Sequence, residues 1–148
     1  MGADEIGRAL DLDLPAVPAS STHAREAVRD ALARVAVDIT AVDLAVTEAV
    51  TNVVIHAYRD RGPAHDPGRV RIGLVIEAEA ALLVVADEGI GMTPRTDSPG
   101  LGMGLSIIAS LCDTLQIEQR GDGTRIHMRF VVDPDAYRAG GEGVAGRG

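Results

Sequence analysis

The chain has 148 residues, 46 % of them hydrophobic and only 2 % aromatic, so we expect one domain with an aliphatic core. Its formal net charge is −8, and an acidic chain repels nucleic-acid phosphates, which argues against nucleic-acid binding. The single cysteine excludes an internal disulfide and a thiolate metal cluster. Apolar runs such as Ala80–Ala86 are too short to span a bilayer, and the N-terminus shows no apolar signal segment. We therefore expect a cytoplasmic protein with no membrane partner.

The first half of the chain is predicted to form one strand and two helices. Pro15 and Pro18 end the first strand, and Ser20 and Ser21 are candidate N-caps for the helix that follows. In chain order the predicted elements are a strand at Ile6–Leu14, a helix at Thr22–Val35, and a helix from Asp38 or Thr40 to about Tyr58.

The second half is predicted to be richer in strands. A loop at 59–68 precedes paired strands at Val70–Glu77 and Ala81–Ala86, a loop at Asp87–Gly102, a helix at Leu105–Cys112, and a hairpin of Leu115–Arg120 with Thr124–Val132. Strand runs with separate helices predict an α+β fold, a two-layer sandwich with helices on one face of a mixed, mostly antiparallel sheet. No domain boundary is evident, so residues 1–138 are expected to form one domain and the Gly-rich residues 139–148 a disordered tail.

A polar stripe lies along the second predicted helix. Glu48, Asn52, His56 and Arg59 fall within a sector of roughly 80°, opposite an apolar face. A solvated face is the ordinary explanation of such a stripe, and a lone His near a helix end is more often a cap or a packed side chain. Asn52, however, has poor helix propensity in mid-helix, and its oxygen suits Mg²⁺. A carboxylate one turn earlier, at Glu48, can order a metal-bound water.

The first glycine-containing motif follows a buried-looking strand and reads Asp87-x-Gly89-x-Gly91. An Asp at a strand end can accept a hydrogen bond from an exocyclic amine, and glycines allow a flat base to approach the backbone closely. A plain turn is the alternative, because Asp and Gly favour turns. The spacing of oxygen ligands excludes a calcium-binding helix–loop–helix motif.

A second glycine motif, Gly100-x-Gly102-x-Gly104, runs into the apolar helix that starts at Leu105. Alternating glycines free backbone N–H groups for phosphate, and a helix N-terminus favours negative charge. The pattern does not fit a dinucleotide fingerprint, and no Lys-Ser or Lys-Thr follows as a Walker loop requires. A flexible linker remains the alternative.

Taken together, these motifs resemble the N, G1 and G2 boxes of the GHKL ATPases. Gly123-Thr124 is similar to the small downstream element that closes the adenine pocket in these enzymes. Within the superfamily, the segment from Glu48 to Tyr58 resembles the anti-sigma factor serine kinases of the sporulation and stress-response type. The resemblance spans about residues 5–132 and implies a Bergerat-type, histidine-kinase-like ATPase fold that binds ATP with Mg²⁺.

The resemblance also implies roles for single residues. Asn52 would bind Mg²⁺, Glu48 would be the general base, and Asp87 would read the adenine amine with help from Thr124. The remaining nucleotide-binding residues would shape the base pocket or hold the phosphates: Gly89, Gly91, Arg95, Gly100, Leu101, Gly102, Met103, Gly104 and Leu105.

The activity implied is that of a protein-serine kinase and anti-sigma factor. Such a protein would phosphorylate a STAS-type anti-sigma factor antagonist, sequester a sigma factor and act as a homodimer. The segment Met92–Pro99 is short for a lid and offers only Arg95 as a cation. An alternative is therefore a nucleotide-dependent binding module with little or no kinase turnover. A third interpretation is an ATPase-type regulator unrelated to sigma factors.

Overall fold

The computed structural model describes residues 7–58, 66–89, 101–121 and 123–133 of the chain. Its elements, in order, are strand β1 (Gly7–Pro15), helix α1 (Ala19–Ala31), helix α2 (Ile39–Asn52), a π-helical turn (Val53–Ala57), strands β2 (Arg69–Ile76) and β3 (Ala80–Asp87), helix α3 (Leu101–Leu111), and strands β4 (Thr114–Arg120) and β5 (Gly123–Val131). The predicted tail at 139–148 lies outside the described residues.

The five strands form one sheet in the order β1-β2-β3-β5-β4, and each of its four pairings is antiparallel. The β2–β3 hairpin is closed by a hydrogen bond from the Glu77 N–H to the Ala80 carbonyl, and β4–β5 is the second hairpin. The predicted α+β class and two-layer architecture are confirmed. We expected a mixed, mostly antiparallel sheet. Among the described strands, every neighbouring pair is antiparallel.

Alternating side chains divide the sheet into a covered and an open face. On β2, Val70, Ile72 and Leu74 are buried, whereas Arg69 and Arg71 are exposed, as the period of two in a strand requires. We call the buried side the inner face and the other the outer face. The helices pack on the inner face. The core includes Val28, Val42, Val46, Val50 and Ile108 from the helices, and Leu83, Val85, Ile126 and Met128 from the strands.

Helix α2 runs through the centre of the helical layer. Asp38 caps it by accepting the Ala41 N–H at 3.1 Å, which confirms one of the two predicted starts. With the π-helical turn it extends over Ile39–Ala57, long and apolar enough by composition to cross a membrane. Its buried face packs in the domain core, so its apolar character is explained by that packing.

Two predicted helix starts were wrong. Neither Ser20 nor Ser21 caps α1, because the helix begins at Ala19, and the Ser20 hydroxyl instead donates to the Pro15 carbonyl at 2.6 Å. Helix α3 begins at Leu101, four residues before the predicted start. The second glycine motif therefore lies partly inside α3, although glycine has poor helix propensity.

The π-helical turn at Val53–Ala57 was not predicted. It directly follows Asn52 and directly precedes Tyr58. Such single-turn insertions in α-helices are often found at functional sites, and this one lies beside the residues described next.

Candidate functional site

Asp87 is the last residue of β3 and lies on the inner face, only 7 % exposed. It is directly opposite Thr124 of β5, which is 1 % exposed. The Gly89 N–H donates to Asp87 Oδ1 at 2.9 Å, so the first glycine motif folds back onto its own carboxylate. The two predicted adenine-pocket residues are thus neighbours in the sheet although 37 positions separate them in the chain.

Burial is the main influence on the Asp87 carboxyl and raises its pKa above the ordinary 3.8. The backbone N–H groups of Gly89 and Thr124 oppose this shift by donating hydrogen bonds to the carboxylate. A carboxylate placed in this way retains lone pairs for another donor, and the surrounding apolar core strengthens any hydrogen bond it accepts.

Asn52 is the last residue of α2 and is 5 % exposed. Its Nδ2 atom is buried and has no hydrogen-bond partner within the part of the chain that the structure describes. An unsatisfied buried polar group costs about 1–3 kcal/mol, and the two ends of the amide can be exchanged by a flip. The side chain therefore offers either a donor or an acceptor to a ligand.

The first turns of α3 reach Asn52 directly. A Cβ atom added at Gly104 would lie 2.9 Å from Asn52 Nδ2, so only glycine allows the helix backbone this close. The N-terminal N–H groups of a helix lack intrahelical partners and favour anions. A buried unpartnered amide and a helix N-terminus thus meet at one place, which is the arrangement expected for a phosphate-bound cation.

The other side of this region is formed by close backbone contacts. A Cβ at Gly89 would lie 1.9 Å from the Ala57 carbonyl oxygen, and one at Gly123 would lie 2.0 Å from the Asp87 carbonyl oxygen. Gly123 also has a φ of +153°, which favours glycine. The end of β3 is therefore held between the π-helical turn and the start of β5. The sequence motifs alone would not reveal these contacts, because the contacts join distant segments.

Glu48 lies one turn before Asn52 on α2, and His56 lies in the π-helical turn after it. Both side chains are half-buried. Leu105 is buried in the second turn of α3. The structure therefore places Asn52 against α3 near its start, with Glu48 one turn before Asn52 on α2, and it brings Asp87, Gly89 and Thr124 together at the end of β3. Arg59, Gly91, Arg95 and Gly100 lie outside the described residues, as do the side chains at 101–103.

Tyr58 was given no role of its own from the sequence, and Gly123 none beyond the hairpin and the pocket-closing element. Tyr58 is 8 % exposed, and its hydroxyl contacts both β2 and the residue after Asp87. The only sequence signal for Tyr58 was its position at the end of the polar helix. Gly123 was noted only as a hairpin and pocket-closing glycine.

A separate concavity of about 670 Å³ lies over the outer face of the sheet. Its floor is largely aliphatic and its margins carry charged side chains from β1, β2 and β5. Volume alone would favour it as a ligand site. The inner side is the other candidate, because Asn52 and Thr124 are buried there and Asn52 Nδ2 has no hydrogen-bond partner among the described residues.

The residues present suit ATP and a magnesium ion. Mg²⁺ is usually bound by one or two protein oxygens together with phosphates and water, and Asn52 can supply one such oxygen. Among the described residues no group of three or more His, Cys, Asp or Glu side chains is placed to hold a metal. A cation at Asn52 would therefore take most of its ligands from the nucleotide and from water.

Comparison with known proteins gives an independent result. Residues 14–130 match the family described as the histidine kinase-like ATPase domain. The anti-sigma F factor of Clostridium acetobutylicum is 38 % identical over 104 residues, which cover 62 % of this chain and 69 % of that protein. The anti-sigma F factor of Clostridium kluyveri is 37 % identical over 108 residues, covering 65 % of this chain and 72 % of that protein.

A solved structure supports the same fold. The crystal structure of the RsbU and RsbW domains of Rv1364c from Mycobacterium tuberculosis aligns with 84 % of this chain at a TM-score of 0.63 and 20 % identity. This chain spans 33 % of that longer protein. At this level of identity the likeness concerns the fold alone.

Proposed function

Because this chain belongs to the histidine kinase-like ATPase domain family and to the anti-sigma factors within it, we propose that it is an ATP- and Mg²⁺-dependent protein-serine kinase. Its substrate would be a STAS-type anti-sigma factor antagonist, and the same protein would sequester a sigma factor. The observation that carries the proposal is the buried side chain of Asn52 against the start of α3, with an Nδ2 atom that has no partner in the described part of the chain.

In this proposal the adenine base lies beside Asp87. Its exocyclic amine donates to the carboxylate, and Thr124 assists through a bridging water. Gly89 and Gly91 would shape the pocket around the ring, and the close packing of Gly89 on the Ala57 carbonyl would fix one wall of it. Arg95 would contact the γ-phosphate. The phosphates would accept hydrogen bonds from the backbone N–H groups of the second glycine motif and the start of α3, at Gly100, Leu101, Gly102, Met103, Gly104 and Leu105.

Asn52 is the residue that would hold Mg²⁺. When bound, the ion supplies neutralisation of the phosphate charge that develops during transfer. The protein would fix the position of the ion. The buried Asn52 amide suits this role, because α2 and Gly104 leave the Asn52 side chain little freedom.

Glu48 would act as the general base. The serine hydroxyl of the antagonist loses its proton to the Glu48 carboxylate while its oxygen forms a bond to the γ-phosphorus. The bond from that phosphorus to the bridging oxygen breaks, and ADP leaves. A positioned base of this kind contributes roughly 10²–10⁴ in rate.

The test is Glu48→Gln, which keeps the size of the side chain and removes its basicity. We expect ATP affinity to stay near the wild-type value, while transfer of labelled γ-phosphate to a purified STAS-type antagonist from the same organism falls at least a hundredfold. Exposed Glu26→Gln on α1 is the matched control and should leave both quantities unchanged.

The outcomes separate the two candidate functions. If the wild-type chain binds ATP and a sigma factor but transfers no phosphate to any STAS-type protein of the organism, the binding-module function is correct and the kinase is not. If the wild type transfers phosphate and Glu48→Gln transfers equally well, another group is the base.

The oligomeric state belongs to the same proposal. We place a homodimer contact on the outer face of the sheet, where an aliphatic centre is surrounded by charged side chains, the usual anatomy of an interface. Asp11 and Asp13 lie on β1, whereas Arg125 and Arg129 lie on β5. A two-fold axis parallel to the strands, between β2 and β3, would set β1 of each copy over β5 of the other, with Asp13 of one copy level with Arg125 of the other.

Residues 1–138 would form the single ATP-binding domain, followed by a disordered tail at 139–148, and the protein would act in the cytoplasm without a nucleic-acid or membrane partner. Anti-sigma activity would then rest on protein–protein contacts alone.

A further inference from the structure

The hydroxyl of Tyr58 lies where strands β2 and β3 separate. The last cross-strand pair of the two strands is Val70 with Asp87. The Tyr58 hydroxyl donates to the Arg69 carbonyl at 2.5 Å and accepts the Glu88 N–H at 3.0 Å. Tyr58 thus joins Arg69, the residue before Val70, to Glu88, the residue after Asp87.

The tyrosine ring has little room to move. It is 8 % exposed, and a Cβ at Gly68 would lie 2.5 Å from its Cζ atom. Gly68 has a φ of +87°, a conformation that favours glycine. The ring is therefore packed against backbone, and the hydroxyl position is set by that packing.

The peptide group between Asp87 and Glu88 is held from two sides. Its N–H donates to Tyr58 Oη, and its carbonyl oxygen lies against Gly123, where a Cβ would approach to 2.0 Å. A peptide group is planar, so fixing both ends fixes its orientation. The following N–H, that of Gly89, holds Asp87 Oδ1. The position of the carboxylate therefore depends on the Tyr58 hydroxyl through two successive backbone groups.

We propose that Tyr58 is a positioning residue for base recognition, and that its hydroxyl sets the Asp87 carboxylate at the distance needed to select a 6-amino purine. The inference rests on the proposed function, because it assumes that Asp87 reads the adenine amine. Tyr58 does not contact the base in this scheme. It acts on selectivity, through the Asp87–Gly89 backbone, and leaves phosphate binding to the α3 end of the site.

The test compares two nucleotides in Tyr58→Phe, which removes one oxygen and keeps the ring that packs on Gly68. Calorimetry with Mg²⁺ gives the dissociation constants of ATP and of purine riboside triphosphate, which lacks the 6-amino group. Their ratio is the preference for the amine. We expect the wild-type preference to exceed tenfold, and Tyr58→Phe to lower it by roughly fivefold, the size of one well-placed hydrogen bond, with little change in affinity for the purine analogue.

A merely structural role gives a different result. If Tyr58→Phe weakens both nucleotides equally, or weakens neither, the preference is unchanged and the proposal is overturned. Val28→Ala is the stability control, because it removes buried side-chain volume from α1, which packs on α2 and β1. It should lower stability and keep the preference. A lower preference in Val28→Ala would mean that the ratio follows stability, which also overturns the role of Tyr58.

A double variant tests whether Tyr58 acts through Asp87. The double variant Asp87→Asn with Tyr58→Phe should show no further loss of preference beyond Asp87→Asn alone, and an additional loss would contradict the proposal. If the wild type itself shows no preference for ATP, the assignment of Asp87 fails and the role of Tyr58 fails with it. If the wild type prefers ATP and Tyr58→Phe keeps that preference, only the role of Tyr58 fails.

Should Tyr58→Phe not fold, 2,3-difluorotyrosine at position 58 replaces it. Fluorine makes the hydroxyl a weaker acceptor for the Glu88 N–H while the ring keeps its place. A reduced preference for ATP supports the proposal, and an unchanged preference contradicts it.

Discussion

A single carboxylate carries the predicted recognition of the base. Asp87 is 7 % exposed and already accepts the Gly89 N–H. A hydrogen bond from a ligand to a charged group in such surroundings is worth roughly 1.5–3 kcal/mol. We therefore expect Asp87→Asn to weaken ATP binding by more than tenfold in a folded protein, measured by calorimetry. Equal ATP affinity in the folded variant would remove Asp87 from the base pocket.

The same substitution gives a pH signature. Burial raises the Asp87 pKa above 3.8 in the folded chain, so the folded protein takes up this proton at a higher pH than the unfolded chain does. As pH falls from 7 towards 3.8, the wild type therefore gains stability relative to Asp87→Asn, and below 3.8 the difference becomes constant. Denaturant titrations of both proteins across this window check the sign. A wild type that loses stability relative to the variant would show that the pKa is lowered.

Asn52 is expected to act through the metal. Its side chain is buried, its Nδ2 atom has no hydrogen-bond partner within the described residues, and its amide oxygen suits Mg²⁺. Asn52→Ala should therefore lose nucleotide affinity in Mg²⁺ and change little in EDTA, with both measured by calorimetry. An equal loss under the two conditions would make Asn52 a structural residue.

At the scale of elements, the start of α3 depends on one close contact. A methyl group at Gly104 would lie 2.9 Å from the Asn52 amide, although alanine favours helix more than glycine does. We expect Gly104→Ala to keep the fold and to weaken binding of Mg²⁺-ATP about tenfold or more, because either α3 or Asn52 must shift.

Gly121→Ala is the matched control, since a Cβ there meets nothing within 4 Å. It should leave nucleotide affinity unchanged. Equal affinities for wild type, Gly104→Ala and Gly121→Ala would show that the α3 start and Asn52 do not form one binding site.

For the whole molecule, the outer face of the sheet is the surface to test. Val84 lies near its centre, opposite Gly73 on β2 and His127 on β5. Val84→Arg places a charge in the aliphatic centre, where a charge without a partner disfavours burial. In sedimentation experiments we expect a wild-type dimer and a monomeric Val84→Arg that still binds ATP. A dimer that persists in Val84→Arg would locate the contact elsewhere.

The sequence determined the order of the elements, and the roles of the site residues stay predictions. Periodicity predicted the two hairpins and the capped start of α2 at Asp38, because these depend on neighbours close in the chain. The motifs around Asn52, Asp87 and Gly104 indicated the ATPase family for the same reason. The predicted starts of α1 and α3 were wrong. The Ser20 hydroxyl donates to the Pro15 carbonyl, and Gly104 packs on Asn52. Helix propensity does not include such contacts.

Only the tertiary structure decided what the motifs could not. Asn52 is buried against α3 at Gly104, 52 residues further along the chain, and its Nδ2 atom has no partner within the residues that the structure describes. The Tyr58 hydroxyl bridges Arg69 and Glu88, 11 and 30 residues away. Contacts of this kind are set by how the layers pack around a shared core, and no local pattern of residue types encodes where a distant backbone group will lie.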